Sequence, residues 1–292
     1  MNERPQRARL LRSLARKRNL HRYDRWRIAI GLAATVGIAA LPLTGTLRLD
    51  LWGGRHMVLG EELGFAEALK AFAFPFLAIN VGIILLTRLA GRYLCGFACP
   101  VGNLARLGEW TQRAHGPEEH PRIRAFGLLG LCALLAGITL SFWVDLRVFV
   151  EGSALARSIS AGALFGLTGV LFLGARRLGM GFCRELCPSG IYFALLGPES
   201  KTGIEYAHPE HCTDCGVCDQ VCPVDLAPRQ LLEGIHEPGR GLYPEGLTSL
   251  GLCLRCGDCV RGCEGVNAKK DQELPLRLGI LSEQTEREAQ SA

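Results

Sequence analysis

The sequence lacks the motifs that bind nucleotides or covalently attached haem. It contains no C-x-x-C-H stretch, which excludes an attached c-type haem. No glycine-rich dinucleotide motif or Walker motif lies where a strand would pass into a helix. These absences leave no sign of NAD, flavin or ATP chemistry in the chain.

Charged residues are absent from four long stretches that are rich in Leu, Ile, Phe, Ala and Gly. The stretches are Ile28–Leu47, Ala71–Thr87, Ala125–Val144 and Ser158–Ala175. Each has roughly the ~17–25 apolar residues that a helix needs to cross the hydrocarbon core of a bilayer. We therefore predict four transmembrane helices rather than buried helices of a soluble protein. No histidine lies in any of the stretches, so a haem held by two histidines between these helices would have no ligands.

Basic residues indicate how these helices are oriented. Lys and Arg crowd residues 1–27, and six arginines lie between the second and third stretches, whereas the other two loops hold fewer. Because cytoplasmic loops of membrane proteins are enriched in Lys and Arg, both termini and the middle loop are expected inside. The pattern predicts a multi-pass protein of the bacterial inner (cytoplasmic) membrane. A nucleic-acid tail and a cleaved signal peptide are the rejected interpretations of the basic segment.

An internal repeat follows the second and fourth apolar stretches. It reads C-x3-C-P-x-G in both copies, as Cys95–Gly102 and Cys183–Gly190. Because each copy follows a pair of helices, both are expected on the same face of the membrane. Cys95, Cys99, Cys183 and Cys187 have three interpretations: a third metal site, a redox-active dithiol pair, or small residues packed at a helix end.

Eight further cysteines form two runs with the spacing C-x2-C-x2-C-x3-C, at residues 212–222 and 253–263. This is the spacing of two-cluster bacterial ferredoxins, in which the fourth cysteine of each run binds the other cluster. We therefore assign one [4Fe–4S] cluster to Cys212, Cys215, Cys218 and Cys263. The second cluster is assigned to Cys222, Cys253, Cys256 and Cys259. Zinc is less consistent with two runs of four cysteines, because zinc sites use pairs separated by longer loops.

Local patterns add expectations about individual elements. The alternating segments Gly203–Ala207 and Leu276–Ile280 are predicted to pair as strands, with helices beginning after Cys222 and Cys263. Asn80 lies in the second apolar stretch and is expected to hydrogen-bond between helices. Cys132 has no cysteine neighbour and is expected to be a small buried apolar residue.

These observations predict an α-helical membrane domain of four transmembrane helices, arranged as a two-hairpin repeat, with a small α+β two-cluster ferredoxin domain. The expected divisions are a basic cytoplasmic segment at 1–27, the membrane domain at 28–197 and the cytoplasmic ferredoxin domain at 198–292.

The helices, the twin C-x3-C-P motifs and the two cysteine runs together resemble the NapH/MauN family of membrane-bound ferredoxin-type proteins. The resemblance implies electron transfer between the membrane quinol pool and another redox protein, in a respiratory or a methylamine-utilisation pathway. It implies no nucleic-acid partner. Asn80, Arg88 and Arg92 are the candidates for a quinone site. The alternative function is an accessory factor that supplies electrons for the assembly of a periplasmic redox enzyme.

Overall fold

The structure is a computed structural model that describes residues 22–112, 121–196, 200–233, 235–267 and 273–281. Most of the predicted basic segment, residues 1–21, and the predicted boundary at residue 197 lie outside the described residues. The α-helices are α1 (Arg22–Leu43), α2 (Phe65–Ala90), α3 (Tyr93–Phe97), α4 (Pro100–Gln112), α5 (Pro121–Ser141), α6 (Val148–Glu151), α7 (Ala154–Arg177), α8 (Pro188–Leu196), α9 (Val217–Val221), α10 (Ser249–Leu252) and α11 (Asp258–Asn267). The strands are β1 (Leu47–Arg48), β2 (His56–Val58), β3 (Glu61–Leu63), β4 (Thr202–Tyr206), β5 (His236–Glu237), β6 (Leu247–Thr248) and β7 (Leu276–Ile280).

Within the described residues, four helices are long and apolar enough to cross a membrane: α1, α2, α5 and α7. They correspond to the four charge-free stretches, although each helix begins earlier than its stretch, as α1 does at Arg22 rather than Ile28. A charged residue ends a charge-free stretch but not a helix, since the apolar stems of Arg and Lys pack along a helix end. Helix α1 also ends early, because Gly45 turns the chain with φ of +69° before β1 begins.

The apolar side chains of these helices are largely exposed. Phe74 on α2 is 78% exposed and Val170 on α7 is 68% exposed. Exposed apolar surface on this scale is unfavourable in water but is what a bilayer requires of a spanning helix.

The chain forms two compact units. One comprises Met1–Gly31, Ile83–Asn103 and Met180–Ala292, and it contains the twelve cysteines of the four motifs. The other comprises Leu32–Gly82 and Leu104–Gly179. The predicted division at residues 1–27, 28–197 and 198–292 stays a prediction.

In the unit of Leu32–Gly82 and Leu104–Gly179, α5 packs on α7 through a small core. Leu104, Leu128, Cys132 and Ala175 are its buried members. Cys132 is fully buried there, so the prediction that it serves as a small apolar residue is confirmed. Strands β1, β2 and β3 form an antiparallel sheet between α1 and α2, in a region that the sequence indicates only as a loop.

In the other unit, β4 and β7 pair antiparallel, with Thr202 opposite Ile280 and Tyr206 opposite Leu276. The predicted pairing of the two segments is therefore confirmed. The predicted helix positions are wrong. Helix α9 ends at Val221 and α11 begins at Asp258, so each begins within its cysteine run and not after the fourth cysteine. The reason is a glycine in the left-handed region, Gly216 or Gly257, which turns the chain into the helix before the third cysteine.

Replacing Gly108 tests the packing of α4 within its unit. An added methyl group at Gly108 would clash with the backbone carbonyl of Ala175, which has little freedom to move. We expect Gly108→Ala to lower the thermal midpoint in detergent, at a cost of roughly 1–3 kcal/mol, as overpacking does.

Gly127→Ala is the matched control, because Gly127 is helical and has open space around its Cβ position. It should leave the midpoint unchanged or raise it slightly, since Ala favours helix by about 1 kcal/mol over Gly. Equal midpoints for the two variants would contradict the packing.

Candidate functional site

The two cysteine runs at the C-terminal end adopt the same backbone path. Asp214 and Arg255, each two residues after the first cysteine, have φ near +50°. Gly216 and Gly257, each four residues after it, are also left-handed. Non-glycine residues rarely adopt this region unless the surrounding structure holds them there. The chain thus builds one loop twice, and each loop turns the three leading cysteines toward one point.

The first cavity is lined by the leading cysteines of one run and the last cysteine of the other. We name it the Cys212 cavity; it has a volume of about 340 Å³ and its lining includes Cys212, Cys215, Cys218 and Cys263. Apolar atoms of Val217, Pro275 and Leu276 complete much of the wall. These four cysteines are the set that the crossed assignment predicts for one cluster.

The second cavity repeats this arrangement. We name it the Cys253 cavity; it has a volume of about 310 Å³ and its lining includes Cys222, Cys253, Cys256 and Cys259. Backbone N–H groups donate to its sulfurs, from Arg255 to Cys253 Sγ and from Leu226 to Cys222 Sγ, both at 3.4 Å. Such donors stabilise thiolate ligands. Four thiols around an apolar cavity with backbone donors fit an iron–sulfur cluster, so the chemistry of the residues agrees with the prediction of two clusters.

The two cavities differ in exposure. In the Cys212 loop, Cys215 is exposed along with Thr213 and Asp214. In the Cys253 loop, every residue from 251 to 257 is buried. Burial raises the pKa of the Cys218 thiol to about 12 and holds the pKa of Cys222 and that of Cys259 well above the usual range. Burial thus disfavours the thiolate form of these three cysteines, and a bound metal would offset that cost, since metal ligation requires thiolates.

The twin C-x3-C-P motifs also share one local geometry. The second cysteine of each motif donates its N–H to the carbonyl five residues earlier, from Cys99 to Leu94 and from Cys187 to Phe182, both at 2.9 Å. In each motif the proline is the first residue of the next helix, Pro100 of α4 and Pro188 of α8. Proline suits this position because its missing N–H would have no partner in the helix.

These two turns bring their cysteines together. We name Cys95, Cys99, Cys183 and Cys187 the four-cysteine group. Each of its sulfurs lies close enough to the other three for their charges to interact. Burial raises the pKa of Cys183 to about 12 and raises the pKa of Cys95 and that of Cys99. Reactive cysteines have lowered pKa values, so the direction of these three shifts does not favour a redox-active dithiol.

Two buried arginines adjoin the sulfurs, and their role was not predicted from the sequence. Arg92, named only as a quinone candidate, is 2% exposed and donates to Leu252 O at 3.0 Å and to Cys183 O at 3.3 Å. Arg255 is fully buried and donates to Thr202 O and Cys253 O. Burial, followed by the charge of Arg92, lowers the pKa of Arg255 to about 10. Their position beside the cysteine motifs was the available signal in the sequence.

A third arginine joins the first C-x3-C-P turn to the Cys253 loop. Arg27 donates to Gly96 O at 3.3 Å, to Cys256 O at 2.7 Å and to Asp258 at 3.0 Å. The sequence indicates Arg27 only as part of a basic flank, because its partners are about 70 and 230 residues away. Arg27 therefore fastens the start of α1 to both motifs.

The remaining polar residues named from the sequence lie elsewhere. Asn80 donates to Phe76 O within its own helix at 2.7 Å, so the expected bond between helices is replaced by a local one. Arg88, in the last turn of α2, is exposed. His208, Glu210 and His211 have ligand atoms within 4.8 Å of one another. Hydrogen bonds account for that grouping, because both histidines also bond to Glu273.

Two kinds of ferredoxin-type protein are similar in sequence to this chain. The chain is 28% identical to the ferredoxin-type protein NapH of Haemophilus influenzae over 236 residues, which cover 75% of this chain and 76% of NapH. It is 26% identical to the methylamine utilization ferredoxin-type protein MauN of Methylobacillus flagellatus over 206 residues, 68% of this chain and 67% of MauN. This chain is similar to the ferredoxin-type proteins of the NapH/MauN family. The predicted resemblance is confirmed.

A further relative supports the same role. The putative electron transport protein YccM of Escherichia coli is 25% identical over 244 residues, 76% of this chain and 60% of YccM. No family model matches the chain, and no solved structure matches it. With its four apolar helices, this NapH/MauN relative is a membrane protein that carries iron–sulfur clusters and has a role in electron transfer.

Replacing Gly257 tests the conformation of the Cys253 loop. Gly257 has φ of +75°, and an added methyl group would meet the Tyr23 ring at 2.9 Å. We expect Gly257→Ala to lower the sulfide and iron content of the purified protein, because the loop must shift to relieve both strains.

Gly216→Ala is the control at the equivalent position of the other loop. Gly216 has φ of +63° but open space at its Cβ position, so this variant bears only the backbone strain of roughly 1–2 kcal/mol. If Gly216→Ala lost as much sulfide as Gly257→Ala, the contact of residue 257 with Tyr23 would not contribute to the loss.

Proposed function

We propose that this protein is a membrane-anchored conduit that passes electrons between the membrane quinol pool and another redox protein. The observation that carries the proposal is the pair of cavities, each lined by three cysteines of one run and one of the other. A [4Fe–4S] cluster in each cavity would supply one-electron carriage. Cys212, Cys215, Cys218 and Cys263 would hold one cluster; Cys222, Cys253, Cys256 and Cys259 would hold the other.

The difference in burial supports a division of labour between the cavities. Cys215, Thr213 and Asp214 are exposed, so the rim of the Cys212 cavity is open to a protein partner. The Cys253 cavity is enclosed and lies beside the first C-x3-C-P turn, through Gly96 and Arg27. We infer that the redox partner docks at the Cys212 loop and that the Cys253 cavity lies on the side of the membrane donor.

Orientation follows from the basic residues of the chain. Arginines in the segment between α2 and α5 and after α7 favour the cytoplasmic side for these segments and for the C-terminal region. This places the protein, in our proposal, in the bacterial inner membrane with its cluster-binding region in the cytoplasm. Asn80 and Arg88 remain the candidates for a quinone site, since Arg92 is buried and bonded to Leu252 and Cys183.

Cysteine variants in two backgrounds test the crossed assignment. Cys212→Ala/Cys215→Ala/Cys218→Ala should lose one cluster, about four iron atoms per chain. In that background Cys263→Ala should cost no further iron, because its cluster is already absent. Cys222→Ala should cost about four more.

The reverse result, with Cys263→Ala removing the remaining iron, would show uncrossed ligation. Cys132→Ala is the control for losing a buried cysteine outside the motifs, and it should retain the full iron content. The reciprocal background, with Cys253, Cys256 and Cys259 replaced, keeps the test valid if the first background folds poorly.

Anaerobic mixing with quinols tests the donor. The absorbance of the oxidised clusters should bleach when the protein in membranes meets a reduced ubiquinol or menaquinol analogue, and a quinone should form in proportion. If none of the physiological quinols reduced the clusters while dithionite did, the quinol-oxidising proposal would be wrong.

The alternative function is a maturation factor that supplies electrons for the assembly of a periplasmic redox enzyme. The twin cysteine pairs motivate it, since four converging thiols can bind a metal. Deletion of the gene distinguishes the two functions. A maturation factor would leave the partner enzyme present but deficient in cofactor, whereas loss of a conduit would leave that enzyme intact and active with artificial donors.

A further inference from the structure

We propose that the four-cysteine group holds a third iron–sulfur cluster, with the buried guanidinium of Arg92 as its counter-charge. The role of this cluster rests on the proposed function, because it would connect the membrane donor to the Cys253 cavity. The presence of the cluster does not depend on that role and is tested separately.

Convergence of the four sulfurs is the first argument. Two turns from distant parts of the chain have the same backbone bonding and turn their cysteines toward one another, so that all four sulfurs interact. A redox-active dithiol would require only two neighbouring cysteines. Packing of small residues at a helix end would not require the four sulfurs to converge. Four thiolates are the ligand set of tetrahedral zinc or of an iron–sulfur cluster.

The spread of the sulfurs favours the larger group. Zinc bonds of ~2.3 Å in a tetrahedron hold the sulfurs about 3.8 Å apart. Among the described residues, no three cysteine sulfurs all lie within 4.8 Å of one another. This holds for the four-cysteine group and for the two ferredoxin-type cavities. The four-cysteine group thus shares the wider spacing of the cavities to which clusters are assigned.

Charge compensation is the second argument. Arg92 is almost completely buried; it donates to the neutral oxygens of Leu252, Cys183 and Tyr243, and it also bonds to the thiol of Cys95. Among the residues that the structure describes, Arg92 forms no ion pair with a carboxylate. A buried cation without an anion costs several kcal/mol, on the order of the effective burial penalty of an ion. An iron–sulfur cluster with four thiolates has a net negative charge and would offset this penalty.

Close packing around the group supports a built site. Tyr243 is buried, donates to Cys183 O at 2.8 Å and accepts from Arg92 at 3.2 Å. A side chain at Gly190, the last residue of the second motif, would clash with the Tyr243 hydroxyl and lie 2.7 Å from Arg92 Nη2. Glycine at this position therefore lets Arg92 and Tyr243 reach the group.

Contact with the Cys253 loop gives the cluster a redox neighbour. A methyl group at Gly96, between the first two cysteines of the group, would clash with Leu254 O and lie 3.3 Å from Cys256 Cα. Arg92 also bonds to Leu252 O, one residue before Cys253. A cluster held by the four-cysteine group would supply one electron at a time to a cluster held in the Cys253 cavity. A quinol would supply two electrons and release two protons as it becomes a quinone.

Iron and acid-labile sulfide in anaerobically purified full-length protein test the proposal. The native chain should contain about twelve iron atoms, and the variant with Cys95, Cys99, Cys183 and Cys187 replaced by Ala about eight, because each cubane holds four. Cys132→Ala is the control and should match the native chain. If the variant retained the EPR signals of the two other clusters in their reduced state, the variant would be shown to fold.

An unchanged iron content in the four-cysteine variant would overturn the third cluster. Bound zinc in the native chain that disappears in the variant would overturn it too. Neither result would affect the proposed conduit, which depends on the other eight cysteines and fails only if their iron is absent or is not reduced by any donor.

Arg92 variants test the counter-charge without removing a ligand. Arg92→Gln should keep the iron but lower the midpoint potential of one EPR-detected cluster, since loss of a positive charge disfavours the added electron. Arg92→Lys should restore most of the potential. Arg277→Gln, at an exposed arginine paired with Glu205, is the control and should leave every potential unchanged. Equal potentials for Arg92→Gln and the native chain would contradict the role of Arg92.

Discussion

Burial of charge is the constraint on which the cluster-binding unit depends. Arg92 and Arg255 are both buried, and Arg92 lies close enough for its charge to act on Arg255. Two neighbouring buried cations are unfavourable unless anions lie beside them. In our proposal, the cysteines of the Cys253 cavity and of the four-cysteine group supply these anions as thiolates bound to clusters. The buried arginines and the bound thiolates would then offset each other's burial penalty.

Repetition explains how a short chain positions so many ligands. The two ferredoxin-type loops have residues with left-handed backbone angles at equivalent positions. Each of the two C-x3-C-P turns is followed by a helix that begins at its proline. Each repeated turn directs its cysteines toward one point, but it does not supply the full set of four cysteines there. The fourth cysteine of each cavity therefore comes from the other copy of the run. Arg27 joins the first C-x3-C-P turn to the Cys253 loop. The two loops differ in solvent exposure, because the Cys253 loop is buried and the Cys212 loop is exposed.

Much of this arrangement could be predicted from the sequence, because cysteine spacing and absence of charge are local signals. The four apolar stretches, the sets of cysteines around each cavity and the pairing of β4 with β7 all follow from them. Helix starts at Asp258 and Val217 were missed, because they depend on the backbone angle of one glycine. The roles of Arg27 and Arg92 could not be predicted, since their partners lie far along the chain and a basic residue near a membrane helix is ordinarily a flank.

The central claim is that this chain carries electrons on iron–sulfur clusters held close together within one unit. Its most direct test is EPR spectroscopy of the full-length protein during an anaerobic redox titration. The account predicts signals of reduced [4Fe–4S] clusters that broaden and split by mutual spin interaction as more than one cluster in a chain is reduced. A protein that contained zinc in place of iron, or one that showed a single isolated cluster at every potential, would contradict it.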